Sequence, residues 1–171
     1  MKEEVGISKL MDVIFNPPKA AAKWHDIDKI EQYLSAIPVK VMGDLYEEGT
    51  PGLYTRQLTI PAGTLITSSV HKTCHPFVIT KGVVTVYNAF DDTTNLYKAG
   101  YRGITYPGAR RVLYVHEETV WITFHSTDRI GLDFIGLNDN EKKVIFEAIM
   151  SDILQAYCNP LLIDFENGIF I

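Results

Sequence analysis

The segment YTRQLTIPAGTLITSSVH, residues 54–71, decides the fold class. It holds two runs rich in β-branched and aromatic residues, 54–60 and 65–71, separated by the turn-forming tripeptide Pro61-Ala62-Gly63. Short runs of this composition, bounded by Pro and Gly, are typical of β-strands joined by a turn. The segment therefore predicts two consecutive strands with no helix between them.

The same pattern continues from this segment to residue 125. Further strands are predicted at 77–80, 83–89, 97–101, 103–106, 111–116 and 120–125. No helical segment of useful length interrupts them. Eight short strands without alternating helices predict an all-β sandwich or barrel.

A helical pattern precedes the strands. Ile27, Ile30, Leu34 and Ile37 recur at spacings of three and four residues. This spacing places them on one helix face, and Pro38 is expected to end the helix.

A second helix is predicted after the strands. Asn138 and Glu141 have the spacing of a capping box, and the apolar face that follows ends at Asn159-Pro160. Residues 161–171 are mostly apolar. We expect this tail to pack on its own domain or on a second subunit, because such a segment is rarely left in water.

The patterns divide the chain into three parts, a lead-in over 1–53, a strand domain over 54–128 and a helix with its tail over 129–171. The total of 171 residues fits a single domain with appendages, and a hydrophobic fraction of 46% is sufficient for a core.

Charge and cysteine content narrow the function classes. The formal net charge is −5 with no long basic run, so we expect no nucleic-acid partner. No apolar stretch reaches the length of a membrane-spanning helix, so no membrane partner is expected. The two cysteines, Cys74 and Cys158, are far apart and in dissimilar contexts, which favours a reducing cytoplasm.

Two motifs within the strand region resemble those of the cupin superfamily. The sequence IPAG at 60–63, the segment HKTCH at 71–75 and Gly82 resemble the first motif, in which a strand carries His-x-His before a Glu and a Gly. The sequence YPGARR at 106–111 resembles the second motif, in which Pro-x-Gly precedes a His.

This resemblance covers roughly residues 54–125 and implies a single cupin jelly-roll barrel with flanking helices. The chain is also similar to small uncharacterised cupins of phage and prophage type. Cupins commonly pair through sheet edges, so the resemblance implies a homodimer or larger homo-oligomer.

The chain departs from the cupin motifs at the metal-binding positions. His71 stands at the second His and His75 at the Glu, whereas Ser69 replaces the first His and Arg111 replaces the last. A cupin metal site uses three His and one carboxylate and suits Fe, Mn, Ni or Zn. Arg111 carries a fixed positive charge that repels such a cation, which disfavours a tightly bound metal.

Two other residues could complete a metal site. His125 closes the last predicted strand and could enter the interior, and the thiol of Cys74 could join His71 and His75 if the turn swung it inward. A metal-dependent cupin enzyme of oxygenase or isomerase type therefore remains an alternative.

The arginine also supports a different kind of site. Arg111 opposite His71, His75 and Ser69 combines fixed donors with titratable imidazoles, which favours a small anionic or sugar-like ligand. Because neighbours on a strand point to opposite faces, one of Arg110 and Arg111 is expected to face solvent. The alternative is a purely structural role for these residues. Either arginine would then form a salt bridge, and both histidines would be hydrogen-bonded core residues.

Three functions follow from these patterns. The first, a cupin that binds a small ligand, is favoured over the second, a metal-dependent enzyme, by the missing His and by Arg111. The third is a phage-related assembly or accessory protein that works through its C-terminal helix and tail. The sequence leaves open the ligand and whether the chain is an enzyme.

Overall fold

The computed structural model describes residues 24–36 and 43–154. It is mostly β, with antiparallel strands and a helix at either end. The elements in chain order are helix α1 (Trp24–Ala36), strands β1 (Asp44–Thr50), β2 (Leu53–Ile60), β3 (Leu65–Thr67), β4 (His75–Asn88), β5 (Thr93–Lys98), β6 (Arg102–Thr105) and β7 (Arg111–Ser126), a 3-10 helix (Leu132–Gly136) and helix α2 (Asp139–Ile153).

Two long strands organise the sheet, whose order is β1-β2-β7-β4-β5. The first half of β7 pairs with β3 and its second half with β2. In the same way, the first half of β4 pairs with β6 and its second half with β5. Register shifts between Ile79 and Val84 interrupt the β4–β7 pairing between these halves. Bulges increase bending, so the half-sheets can face each other across a core.

The strand pairing does not close the sheet into the predicted barrel. Strands β1 and β5 end the strand order, and no pairing joins them within the described ranges. The short strands β3 and β6 each cover only one half of a long strand. The free edges β1 and β5 therefore belong to different half-sheets and stay apart.

The structure also changes the predicted strand list. The runs predicted at 77–80 and 83–89 form one strand, β4, and those at 111–116 and 120–125 form β7. Strand β1 was not predicted because its sequence, DLYEEGT, is polar and largely exposed. The polar side chains of this edge strand hide it from an analysis that searches for apolar alternation.

Gly82 allows the bend in β4. Its φ is +87°, and a Cβ there would collide with the carbonyl oxygen of Glu118 in β7. We expect Gly82→Ala to destabilise the fold by about 2–3 kcal/mol, because it adds this collision to an unfavourable backbone conformation. Urea unfolding measures the loss.

Gly63 provides the matched control for that substitution. Its φ is +78°, but a Cβ there would meet nothing within 4 Å. Gly63→Ala should therefore cost only the backbone term, about 1–2 kcal/mol. Equal losses at the two positions would contradict the role of the Glu118 contact in the bend.

The helices cover different parts of the sheet. Helix α1 packs Ile27 and Ile30 against Tyr87 and Val112 on the outer face. Helix α2 and the 3-10 helix pack around Tyr54 in β2; the buried members of this cluster are Tyr54, Ile130, Phe134, Phe146, Ile149 and Ile153. None of the described helices is long and apolar enough to cross a membrane.

The predicted capping box at α2 is confirmed. The Asn138 side chain accepts a hydrogen bond from the Glu141 backbone N–H, and the Glu141 carboxylate accepts one from the Asn138 backbone N–H. The predicted helix end at Asn159-Pro160 and the apolar tail 161–171 lie outside the described residues.

Candidate functional site

Three histidines meet in the interior of the sheet. His75 begins β4, His125 lies near the end of β7, and His71 lies in the irregular segment before β4. The ring centroids are 5.0 Å apart for His71 and His75 and 4.1 Å apart for His75 and His125. All three side chains are buried, with at most 3% exposure. We call this group the histidine cluster.

The two sequence motifs converge on His71. Its backbone N–H donates to the Ala109 carbonyl oxygen, and its own carbonyl accepts from the Gly108 N–H at 2.7 Å. The turn at Pro107-Gly108 is possible because Gly108 has a φ of +87°. The second motif therefore holds the first through backbone hydrogen bonds.

Burial keeps the histidine cluster neutral. It lowers the pKa of His71 to about 3, with further lowering by His75 and by the charge of Arg111. Burial likewise lowers the pKa of His75 to about 4. The pKa of His125 falls to about 3, again mainly by burial and then through His75 and His71. At neutral pH the cluster thus offers three uncharged imidazoles.

Arg111 brings a positive charge to the same interior. Its side chain is 5% exposed, and its guanidinium carbon lies 5.4 Å from the centroid of the Phe77 ring. Burial lowers the pKa of this guanidinium, and the electrostatic effect of Tyr97 and Asp91 offsets part of that lowering. Among the described side chains it has no carboxylate within ion-pairing distance. A buried charge that no carboxylate contacts is costly, so this group is an unusual one to leave in a core.

Arg56 is a second interior cation, and the sequence analysis missed it. It lies in β2 opposite Thr123, between the buried residues Tyr54 and Leu58 on the same face. Burial lowers the pKa of Arg56, and its charge also lowers the pKa of His71 and His125. The sequence pattern could have indicated this residue, because Arg56 falls on the apolar face of a strand in which apolar and polar residues alternate.

Arg110 has a different environment from Arg111. Its guanidinium forms 2.8 Å ion pairs with Asp28 and Glu31 of α1. The expectation that one of the two arginines faces solvent is wrong, because Arg110 is only 1% exposed. The two side chains do point to opposite faces, but α1 covers the outer one. The alternation of side chains along a strand does not show which face of the sheet a helix covers.

Two predicted site residues lie apart from the cluster's contacts. Cys74 is exposed, although it precedes His75. Ser69 is half-buried, and its carbonyl accepts a hydrogen bond from the Ser68 hydroxyl. The Ser68 Oγ in turn accepts from the Arg111 backbone N–H at 2.8 Å. Of the serine pair, Ser68 is therefore the one that contacts the strand carrying Arg111.

Among the described residues, several buried polar atoms near the cluster have no hydrogen-bond partner. They include Nδ1 of His125 and Oγ1 of Thr105, which pairs with His75 across β6 and β4. The indole Nε1 of Trp121, two strand positions from Thr123, is also unsatisfied. Buried polar groups in native proteins almost always have partners, so these atoms mark positions at which a polar ligand would form hydrogen bonds.

The donor set does not fit the divalent metal that the cupin resemblance implies. Across residues 24–36 and 43–154, no group of three or more His, Cys, Asp or Glu side chains is placed to hold a metal ion. The guanidinium charges of Arg111 and Arg56 lower histidine pKa values by repulsion, and they would repel a metal cation in the same way.

The end of α2 lies beside His71. The Lys72 backbone N–H donates to the Ile153 carbonyl at 2.7 Å, and the Lys72 Nζ donates to the Ser151 carbonyl at the same distance. A β-bridge joins His71 to Leu154. The last turn of α2 is therefore fixed to the segment that carries His71.

Comparison with known proteins gives structural similarities only. No protein-family model matches the chain, and no curated protein matches it. Among solved structures it is similar to a cupin-2 domain protein from Shewanella frigidimarina, with 10% identity and a TM-score of 0.40 over 57% of this chain and 92% of that one.

Two further solved structures show the same level of similarity. A protein of unknown function from Vibrio parahaemolyticus is 12% identical, with a TM-score of 0.42 over 50% of this chain and 98% of that one. Salicylate 1,2-dioxygenase from Pseudoaminobacter salicylatoxidans is 16% identical, with a TM-score of 0.44 over 60% of this chain and 31% of that one. At such scores the function rests on the site itself.

Proposed function

We propose that the chain is a single cupin-type jelly roll that binds a small anionic ligand in its interior. The observation that carries this proposal is the buried guanidinium of Arg111, which has no carboxylate partner among the described side chains. An anion placed against it would supply the missing charge. Arg is suited to this role because its fork of N–H donors matches carboxylate and phosphate oxygens.

The surroundings of Arg111 support the same proposal. Phe77 packs under the guanidinium, and the buried histidine cluster is neutral at physiological pH. Neutral imidazoles add no charge to the site, but they can accept or donate hydrogen bonds. A low-dielectric interior strengthens the attraction between Arg111 and an anion.

Removing the guanidinium should strongly weaken this binding. We expect Arg111→Met to weaken the binding of small carboxylates or phosphates by roughly 100-fold, because losing one partner of a buried charge pair costs about 2–5 kcal/mol. Isothermal titration calorimetry with a panel of these anions measures the change.

An exposed arginine gives the control for that experiment. Arg129 forms a surface ion pair with Asp152 and lies outside the histidine cluster. Arg129→Met should leave anion affinity unchanged. An equal loss in both variants would point to a general effect of net charge and contradict a specific site at Arg111.

A metal-dependent enzyme of oxygenase or isomerase type is the second candidate. The short distances between the three imidazole rings favour it, whereas the lack of a metal-holding arrangement among the described side chains disfavours it. Elemental analysis of untagged protein, beside a His71→Ala/His75→Ala variant, separates the two functions. We expect far less than one Fe, Mn, Ni or Zn per chain. Near-stoichiometric metal that disappears in the variant would replace the first proposal with the second.

We also propose that the chain forms a homodimer through its sheet edge. Within the described ranges, strand β1 pairs along one edge only, and it exposes Leu45 and Tyr46. Exposed apolar edge strands tend to pair. A monomer in analytical ultracentrifugation would contradict this proposal. If deletion of residues 161–171 abolishes the oligomer, that result would favour an assembly role for the C-terminal tail.

A further inference from the structure

The hydrogen bonds of the histidine cluster determine where each imidazole carries its proton. The Nδ1 of His71 lies 3.2 Å from the carbonyl oxygen of Ala109, and the Nδ1 of His75 lies 3.4 Å from that of Thr73. A carbonyl oxygen can only accept a hydrogen bond. Both Nδ1 atoms therefore carry the proton, and the Nε2 atom of each ring keeps a free lone pair.

The third ring has the opposite tautomer. The Oγ1 of Thr123 lies 3.5 Å from the carbonyl oxygen of Arg56, which can only accept a hydrogen bond. The same Thr123 Oγ1 lies 3.0 Å from Nε2 of His125. Because the hydroxyl has a single proton, both contacts are hydrogen bonds only if His125 carries its proton on Nε2 and donates it to Oγ1. The Nδ1 of His125 is then an unprotonated lone pair, and it is buried without a partner.

The cluster thus presents three lone pairs in one interior region: Nε2 of His71, Nε2 of His75 and Nδ1 of His125. Beside them, the Arg111 guanidinium offers only N–H donors. A complementary ligand needs an acceptor anion for the guanidinium and several hydrogen-bond donors for the imidazoles. Leaving buried acceptors unsatisfied would cost about 1–3 kcal/mol each.

We propose that the ligand is a polyhydroxylated anion, with its acidic group on Arg111 and its hydroxyl groups donating to the three imidazole lone pairs. This inference rests on the proposed function, since it specifies the anion bound there. A simple alkyl carboxylate leaves the lone pairs unsatisfied, and a neutral polyol leaves Arg111 without a counter-charge. An ammonium group could also donate to the lone pairs, but Arg111 and Arg56 repel a second cation in this interior.

The tautomers can be tested without any ligand. Two-bond 15N–1H correlation spectra of protein labelled on histidine should show the Nδ1–H form for His71 and His75 and the Nε2–H form for His125. Single His→Gln variants assign the signals. A spectrum in which His125 carries its proton on Nδ1 would overturn the inference, because its interior nitrogen would then be a donor.

The ligand class can be tested with matched pairs of small acids. Calorimetry would compare glycerate, threonate and gluconate with propionate, butyrate and hexanoate, and would include sorbitol and norleucine. We expect at least one hydroxylated acid to bind about 10-fold or more tightly than its alkyl match, and we expect little binding of sorbitol or norleucine.

The outcomes separate this inference from the proposed function. Equal or tighter binding of the alkyl acids, or preferred binding of norleucine, would overturn the polyhydroxylated ligand and leave the anion site standing. No binding of any acid would overturn both.

A variant of the third histidine adds a direct test. We expect His125→Phe, which keeps the ring but removes the lone pair, to reduce the affinity for the hydroxylated acid about 10-fold and leave the alkyl acid unchanged. His125→Asn serves if the Phe variant does not fold, and exposed His116→Phe is the control. An equal loss for both kinds of acid would contradict hydrogen bonding by His125.

Discussion

Arg110→Met is expected to destabilise the protein by about 3–5 kcal/mol, because removing one partner of a buried ion pair leaves the other charge buried. Glu31 is only 5% exposed, and its carboxylate lies 2.8 Å from the Arg110 guanidinium. Asp28, the second partner, is half exposed and can be hydrated without the arginine. The loss should therefore come mainly from Glu31 and appear in urea unfolding.

The neighbouring arginine gives the sharpest control for this prediction. Arg111 is almost equally buried, but no described carboxylate pairs with it. Arg111→Met should therefore be neutral or stabilising in the absence of ligand, since it removes a buried charge that no described carboxylate contacts. Two adjacent arginines would thus show opposite effects on the free energy of unfolding.

A double variant identifies the source of the Arg110 effect. Arg110→Met/Glu31→Leu should recover much of the stability lost in Arg110→Met, because neither charge then remains buried. If the double variant is as unstable as the single one, lost packing of the long arginine side chain explains the effect, and the ion pair with Glu31 does not.

The sequence predicted the β class and the flanking helices because both depend on local patterns. The 54–60 run became β2, and the capping box at Asn138 formed as expected. The bend of β4 was not predictable in the same way, since it depends on contact between Gly82 and a distant strand. Strand β1 was missed because an exposed edge strand lacks the apolar alternation that pattern analysis detects.

The candidate site was also predictable only where it depends on local sequence motifs. His71, His75 and Arg111 were proposed together from motif positions, and the structure brings the two histidines into ring contact. The place of His125 depends on the register that sets Phe77 opposite Thr123, which no local pattern contains. Arg56 and the unsatisfied Thr105 are polar residues within strands, and only the three-dimensional fold shows that they share an interior.

Acidification is expected to unfold the protein at a higher pH than protonation of its carboxylates alone would. The three clustered histidines have folded pKa values of about 3 to 4, whereas an unfolded histidine titrates near 6.5. The unfolded chain therefore binds more protons than the folded chain between these values. Stability is full above about pH 6.5 and falls as the pH is lowered through the unfolded pKa.

The size of this effect follows from proton linkage. Three protons taken up on unfolding give a slope of about 4 kcal/mol per pH unit at most, and a loss of about 4–6 kcal/mol between pH 7 and 5. That loss is comparable to the whole stability of many domains. Urea unfolding at a series of pH values measures the slope directly.

Histidine variants test whether the cluster is the source of the slope. His125→Gln should reduce proton uptake on unfolding by about one, and His116→Gln, at an exposed position of β7, provides the control. The cations Arg56 and Arg111 face the cluster and keep protonation unfavourable in the variant as well. If the wild type takes up one proton or fewer between pH 6.5 and 4, the histidines are not buried in neutral form. The lone pairs inferred for them would then have no basis, because a protonated imidazole can only donate.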